Sequence, residues 1–246
     1  MTLAIIGGTG LEDLAGSLVN KQQKMVATPY GEAPVTSGEL GGSAVLFQPR
    51  HGETHATAPH NINYRANIQA LQDAGATHIM AAAAVGSMQN EIKPGDFVVV
   101  DQFIDFTKNR AGTYSGDGQP LYHTDMTEPY DSELRRLIMA AADAKGLPLH
   151  RGGTYVCTEG PRFETAAEIR MFQTLGGHVV GMTAVPEVVL AAELGIPYAA
   201  LCVVTNYAAG MAGHGLTYEE CADEMARRQS TLLDVFLSAA KAGKLL

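Results

Sequence analysis

Gly7, Gly8 and Gly10 surround Thr9 in the string GGTGL (7 to 11), directly after an apolar run. Glycines let the backbone turn sharply and aim successive N–H groups at one point, and Thr9 adds a hydroxyl, so the string can cradle an anion. It is an incomplete dinucleotide fingerprint, because Asp13 stands at the third glycine position, and the lysine of a Walker loop is missing. A tight strand-to-helix turn that binds nothing accounts for the same residues. A cationic corner comes next at PRHGETH (49 to 55), where Arg50 and His51 end another apolar run. A guanidinium fork matches phosphate geometry, and an adjacent imidazole adds a donor. Two readings compete: a solvated surface pair, and a metal pair of His51 with His55, although Gly52 occupies the place where a zinc-protease motif needs glutamate. His60, Asn63 and Arg65 open the next helical stretch and read as capping and packing residues.

Later strings deliver polar groups at the ends of apolar runs. Ala83, Ala84 and Gly86 in AAAAVGSM leave room for a ligand against the main chain. CTEGPRFET (157 to 165) offers Glu159, Arg162 and Glu164; GMTAVPE (181 to 187) offers Thr183 and Glu187; VVTNYAAG (203 to 210) offers Thr205 and Asn206. Each lies beside Phe163, Met182 or Tyr207. One anion corner, one flat apolar slot and a few amide or carboxylate groups are what a nucleoside plus a phosphate requires. Any one of these strings alone is equally a polar loop with satisfied hydrogen bonds.

Composition limits the partners. Lys and Arg number 17 against 26 Asp and Glu, a formal net charge of −9. That balance excludes nucleic acid as the main partner, because phosphate neutralisation along a strand needs a dense basic surface. Cys157, Cys202 and Cys221 are far apart and lack CxxC spacing, which fits a reducing compartment, no structural zinc and a role as small apolar fillers. No apolar run approaches the roughly 18 residues of a membrane span, and MTLAIIGGTG lacks a secretory leader's basic start and cleavage pattern. A soluble, cytoplasmic protein without membrane contact is the expectation.

Strands and helices must hold these groups in place. Apolar runs at 2–8, 43–47, 77–85, 96–103, 153–158, 178–182 and 198–205 are bounded by Gly, Pro, Asp or Asn, as strands buried on both faces would be. Amphipathic stretches at about 61–74, 131–146, 164–176, 185–194 and 217–241 alternate with them. In the last, Thr217 and Glu220 have capping-box spacing, and Cys221, Met225, Leu232, Phe236 and Ala239 share one face. This alternation predicts an α/β fold: one domain over 1–246 with a mostly parallel sheet flanked by helices and a ligand crevice at the carboxyl ends of the strands. Residues 107–127 are polar, turn-rich and too long for a plain connection, so they read as a loop at a site or a subunit contact.

Taken in order, IIGGTGL, TPYG, RHG, NYRAN, PGDFVVVDQFID, TEGPRFET, MTAVPE and TNY resemble the trimeric purine nucleoside phosphorylase superfamily, and especially its 5′-methylthioadenosine phosphorylase branch, over nearly the whole chain. The resemblance implies a mixed, distorted sheet and a homotrimer, with pairing into hexamers left open. It also implies reversible phosphorolysis of a purine nucleoside, with inorganic phosphate as co-substrate and no metal or organic cofactor. Thr9, Arg50, His51, the Ala84 backbone and Thr183 then form the phosphate site, and Arg50, His51 and Asn206 are the catalytic groups. Met182 is similar to the methionine under the ribose, Phe163 to the aromatic wall of the base slot, and His123 to the residue a neighbouring subunit lends to the 5′ end. Ala83 departs from the pattern: the methylthioadenosine enzymes have a threonine hydroxyl there, so one phosphate contact is lost or passes to water.

The base pocket departs more informatively. Members acting on adenosine-type nucleosides carry a serine after the phenylalanine, an aspartate after the threonine and another acid two residues later. Here those positions read Glu164, Asn206 and Ala208, and the first two match the 6-oxopurine branch. An ionised Glu164 accepts the N1 proton of hypoxanthine or guanine and repels the bare N1 of adenine, while Asn206, next to Thr205, bridges the N7 and O6 edge. At the 5′ end, Leu216, Thr217, Tyr218 and Cys221 fall where the family distinguishes methylthio from hydroxyl, with aliphatic residues for the former and a histidine near Tyr218 for the latter. Tyr218 fits neither pattern, and His214 is the nearby substitute. The likeness favours S-methyl-5′-thioinosine, with inosine and guanosine next and methylthioadenosine after them. A phosphate-independent nucleosidase, a nucleoside-binding protein without turnover and a Cys157 nucleophile are the other readings.

Overall fold

A computed structural model describes the chain except for residues 12–13, 53–55, 117, 119–120 and 122. Its first half supplies β1 (Leu3–Gly7), a short α1 (Leu14–Ser17), the hairpin of β2 (Val19–Thr28) and β3 (Gly31–Leu40), β4 (Ser43–Pro49), a 3₁₀ turn (Pro59–Asn61), α2 (Tyr64–Asp73) and β5 (His78–Ser87). The second half adds β6 (Phe97–Val99), β7 (Gln102–Asp105), α3 (Ser132–Ala144), β8 (Leu149–His150) and β9 (Thr154–Cys157). It ends with α4 (Ala166–Thr174), β10 (Val179–Gly181), α5 (Ala184–Glu193), β11 (Tyr198–Tyr207) and α6 (Tyr218–Ala242).

Among the described residues all eleven strands join one sheet, ordered β2-β3-β4-β1-β5-β10-β9-β7, with β11 beside β5 and β6, and β6 beside β8. β1 is parallel to β4 and β5, β11 to β5, β9 to β10 and β7, and β6 to β8. Antiparallel pairing is confined to the β2-β3-β4 meander, β10 on β5 and β6 on β11. The expected α/β fold with a mixed, mostly parallel sheet is therefore present.

The central strands are apolar throughout for a reason that lies in period-2 geometry. In β1, Ala4 and Ile6 join the core on one face, with α2 and α5, while Leu3 and Ile5 join the core on the other, with α3 and α6. β11 divides likewise, Tyr198, Ala200 and Cys202 against Ala199, Leu201 and Val203. Neither face meets water, so no polar alternation is written into either strand.

The β2-β3 hairpin was not expected. Nearly every side chain of β2 is exposed, so VNKQQKMVAT carries no apolar period to betray a strand. It is an edge strand, and its lysines suit an unpaired edge. The run 96–103 also divides into two strands, β6 and β7, rather than one. The reciprocal capping box falls at α4, between Thr165 and Glu168, whereas at α6 Thr217 accepts from the Glu220 N–H and the Glu220 carboxylate lies 3.7 Å from His214 Nδ1. Between β7 and α3 the described residues form no helix and no strand. Among the described residues no helix is long and apolar enough to cross a membrane.

Candidate active site

A cavity of about 350 Å³ opens where the sheet's central strands end. Thr9 enters it after β1, Arg50 and His51 after β4, Ala84 and Gly86 from β5, Met182 and Thr183 after β10, and Thr205 and Asn206 from β11. Phe163 and Glu164 come from the loop before α4, and Tyr218 and Cys221 from the first turn of α6. This is the crevice expected at strand carboxyl ends.

The anion corner is built around a buried guanidinium. Arg50 Nε and Nη2 donate to the Glu187 carboxylate at 2.5 and 2.9 Å, and Nη1 donates to the Ala82 carbonyl at 2.7 Å. Three of the five guanidinium N–H groups are thereby used, leaving one on each Nη for a ligand. Burial alone would lower the Arg50 pKa, but the charge and hydrogen bonds of Glu187 outweigh it, and the cation is held. A Cβ at Gly8 would stand 2.8 Å from Nη1 and 3.5 Å from His51 Nε2, so glycine there gives both side chains their room. His51 Nδ1 lies 2.8 Å from the Thr57 carbonyl, which only accepts, so the ring proton is assigned to Nδ1. Thr183 is 8% exposed and its N–H reaches the Tyr155 hydroxyl at 3.3 Å.

Phe163, Val180, Gly86 and Ala208 also line the cavity. Glu164 is 8% exposed and accepts from Thr158 Oγ1 at 2.6 Å. Burial raises its pKa above the ordinary carboxylate value, and the Thr158 bond opposes that only in part. The pairing of β11 with β5 shifts register between Val204 and Asn206, which leaves Thr205 as the extra residue. Such bulges re-aim side chains beside sites. Here Thr205 Oγ1 donates to Asn206 Oδ1 at 2.7 Å, and the Cys221 thiol donates to the same oxygen at 3.3 Å. Asn206 Nδ2 donates to the Tyr207 carbonyl at 2.9 Å, and because a carbonyl cannot donate, the amide orientation is fixed. One Nδ2 hydrogen remains, and the absent side chain of Gly86, whose Cβ would stand 3.3 Å from Nδ2, leaves space beside it.

Some expectations change at the 5′ end and at the cysteines. Leu216, Tyr218 and Cys221 line the cavity, but Thr217 does not: its hydroxyl caps α6 at the Glu220 N–H. His214 is also outside the lining, bonded to the Gly215 carbonyl at 2.9 Å, and His123 is exposed and outside it too. Cys221 is a wall residue and donor rather than a filler, and burial pushes its thiol pKa up, which keeps the proton in place. Cys157 is fully buried and outside the cavity, with burial pushing its pKa to about 12, so it cannot serve as the nucleophile. His55 lies outside the described residues, and among those described no three His, Cys, Asp or Glu side chains gather as a metal site needs. Ala83 is core, buried beside Ala84. Sequence reading named Glu187 without a role, because nothing local signals a partner 137 positions away.

Comparison with known proteins agrees with this architecture. Residues 2–241 match the family profile described as the phosphorylase superfamily. The 6-oxopurine nucleoside phosphorylase of Pyrococcus furiosus is 51% identical over 243 residues, covering 96% of this chain and 91% of that protein. A Methanothermobacter thermautotrophicus protein named "Probable S-methyl-5'-thioinosine phosphorylase" is 45% identical over 240 residues, with 97% and 83% covered. Among solved structures, the methylthioadenosine phosphorylase of Schistosoma mansoni in complex with adenine aligns at a TM-score of 0.93 and 32% identity, over 100% of this chain and 93% of that one. With a profile match over residues 2–241 and a relative 51% identical over nearly the whole chain, this chain belongs to the phosphorylase superfamily.

Proposed function

We propose that this chain is a pentosyltransferase that cleaves a 6-oxopurine nucleoside with inorganic phosphate. S-methyl-5′-thioinosine is the first-choice substrate, giving hypoxanthine and 5-methylthioribose 1-phosphate. The observation that carries the reading is a single cavity lined both by Glu164 and an oriented Asn206 amide and by Arg50, His51, Thr9 and Thr183. Phosphate held in that corner attacks C1′ as the bond to N9 breaks, and its oxygen forms the new bond to the sugar. Charge left on the departing base is stabilised by the remaining Asn206 N–H, while ionised Glu164 accepts from N1–H. Positioning and electrostatic stabilisation supply the catalysis, with no covalent enzyme intermediate and no cofactor.

A methylthio rather than a hydroxyl 5′ group is favoured by the lining: Leu216, Met182 and Cys221 are among the cavity walls, and His214 is not. Inosine and guanosine are the second reading, favoured by the name of the 51% identical relative. The proposed assembly is a homotrimer in which His123, exposed on this chain, completes a neighbouring subunit's site. The deciding experiment measures initial rates on methylthioinosine, inosine, guanosine, methylthioadenosine and adenosine, each with and without phosphate. Rates on the three 6-oxopurines that vanish without phosphate are expected. Equal or better rates on the adenine nucleosides would overturn the base reading, and release of base without phosphate would make the protein a nucleosidase.

A further inference from the structure

The polar segment between β7 and α3 sends one side chain inward. The Arg110 side chain is 2% exposed, and its guanidinium meets four hydrogen-bond acceptors in three separate stretches of chain. Nη1 donates to the Met182 carbonyl at 2.6 Å and to the Tyr64 hydroxyl at 2.9 Å. Nη2 donates to the carbonyls of Glu159 at 2.8 Å and Thr158 at 3.2 Å. Its Nε lies 3.5 Å from a Glu159 carboxylate oxygen, and that same oxygen accepts from the Lys108 N–H at 2.8 Å. The Tyr64 hydroxyl in turn donates to the Pro59 carbonyl at 2.9 Å.

These acceptors either belong to the cavity walls or lead directly into them. Met182 and Pro59 are themselves walls, and residues 158–159 open the loop that delivers Phe163 and Glu164. Arg110 does not line the cavity. It therefore acts from behind, tying three walls of the nucleoside end to one rigid fork. Without it the three carbonyls lose their charged partner, and buried carbonyls left unpaired cost stability and order. Lysine cannot span the same acceptors, since its donors radiate from a single nitrogen. The cationic groups of the anion corner are held by different bonds, Arg50 by Glu187 and Ala82 and His51 by Thr57, while the Thr183 N–H, in the same peptide unit as the Met182 carbonyl, has a second anchor in the Tyr155 hydroxyl.

We propose that Arg110 is a positioning residue for the nucleoside half of the site, setting Met182 and the 158–164 loop at the height that the sugar and base require. The inference rests on the nucleoside-plus-phosphate reading of the cavity. Its mark is a split between the two substrates. In the intact protein, Arg110→Met should raise the KM for inosine at saturating phosphate by about tenfold or more, while the KM for phosphate changes by less than about threefold. Arg110→Lys should fall between Arg110→Met and the wild type. Thermal midpoints with and without phosphate establish that each variant is folded with its anion corner working, and if Arg110→Met does not fold, the Lys variant decides by the same split. Equal rises in both KM values, or an unchanged inosine KM in a folded variant, would overturn the proposal. Wild-type rates with and without phosphate test the parent reading separately: a nucleosidase result would sink that reading, and the inosine KM alone would then decide on Arg110 by the same tenfold criterion.

Discussion

Arg50 and Glu187 form a two-point ion pair, at 2.5 and 2.9 Å, with the two side chains 2% and 1% exposed. Tyr198 adds a third bond to the same carboxylate at 2.8 Å. The charges of the pair cancel at a distance, so Arg50 serves the anion corner through oriented N–H groups more than as a free cation. On the proposed reading, that reconciles a net charge of −9 with an anionic co-substrate: screening over about 8 Å hides the overall field, and local donors would do the binding.

Glu187→Gln leaves the buried guanidinium without its counter-charge. Breaking a buried pair from one side costs about 3 to 5 kcal/mol, so urea unfolding should show a loss of that order. Phosphate would then become the missing counter-ion and should raise the melting temperature of the variant more than that of the wild type. A smaller phosphate shift in the variant would show that Arg50 does not face the anion.

Asn206→Ala removes the donor at the departing base and lets the bulge at Thr205 relax. By analogy with single donors that stabilise developing negative charge, kcat on inosine or methylthioinosine should fall by roughly 10²-fold, about 2.7 kcal/mol, with a much smaller effect on phosphate KM. Single-turnover rates check this directly, and full turnover by the variant would remove Asn206 from the mechanism.

Gly8→Ala places a methyl 2.8 Å from Arg50 Nη1, an atom that cannot retreat because Glu187 and Ala82 hold the guanidinium. Overpacking of this kind costs roughly 1 to 3 kcal/mol. The strain falls on the anion corner, so phosphate KM should rise by about tenfold while nucleoside KM stays near the wild-type value. A variant with ordinary phosphate kinetics would mean that the β1 turn takes up the methyl by moving away.

What the sequence revealed divides along a physical line. α6 was legible because Cys221, Met225, Leu232 and Phe236 repeat at helical spacing and all are buried. β1, β5 and β11 were legible as unbroken apolar runs because both their faces are covered. β2 was not, since an exposed edge strand needs no apolar residues, and its pairing with β3 is a backbone matter. In the site, Thr9, Arg50, His51, Thr183, Glu164 and Asn206 all reach one cavity, each legible as a polar residue closing an apolar run. Thr217 was legible as a cap from its spacing to Glu220, and its placement at the 5′ end came only from the resemblance; its hydroxyl accepts from the Glu220 N–H and it is not among the cavity lining. Arg110 was hidden within a loop whose local pattern says nothing of its four distant acceptors.

Glu164 ties stability and activity to pH in opposite directions. Its folded-state pKa is raised by burial above the ordinary value of 4.5, with the Thr158 bond opposing in part. Below pH 4.5 the carboxyl is neutral in both folded and unfolded chains, and the neutral form's advantage in the folded state is fully present. As pH rises through the folded value, the buried group must ionise and that stability is lost. Glu164→Gln has no proton to lose, so its stability relative to the wild type should climb with pH from about 4.5 and level off above the raised pKa. Activity runs the other way. The ionised carboxylate is the stronger acceptor for N1–H, so kcat/KM for inosine should rise through the same pH window, and this acid limb should vanish in Glu164→Gln together with most of the preference for inosine over adenosine. Parallel pH profiles of unfolding and of kcat/KM provide the check: an inosine profile whose acid limb survives in Glu164→Gln would assign that limb to another group and take N1 recognition away from Glu164.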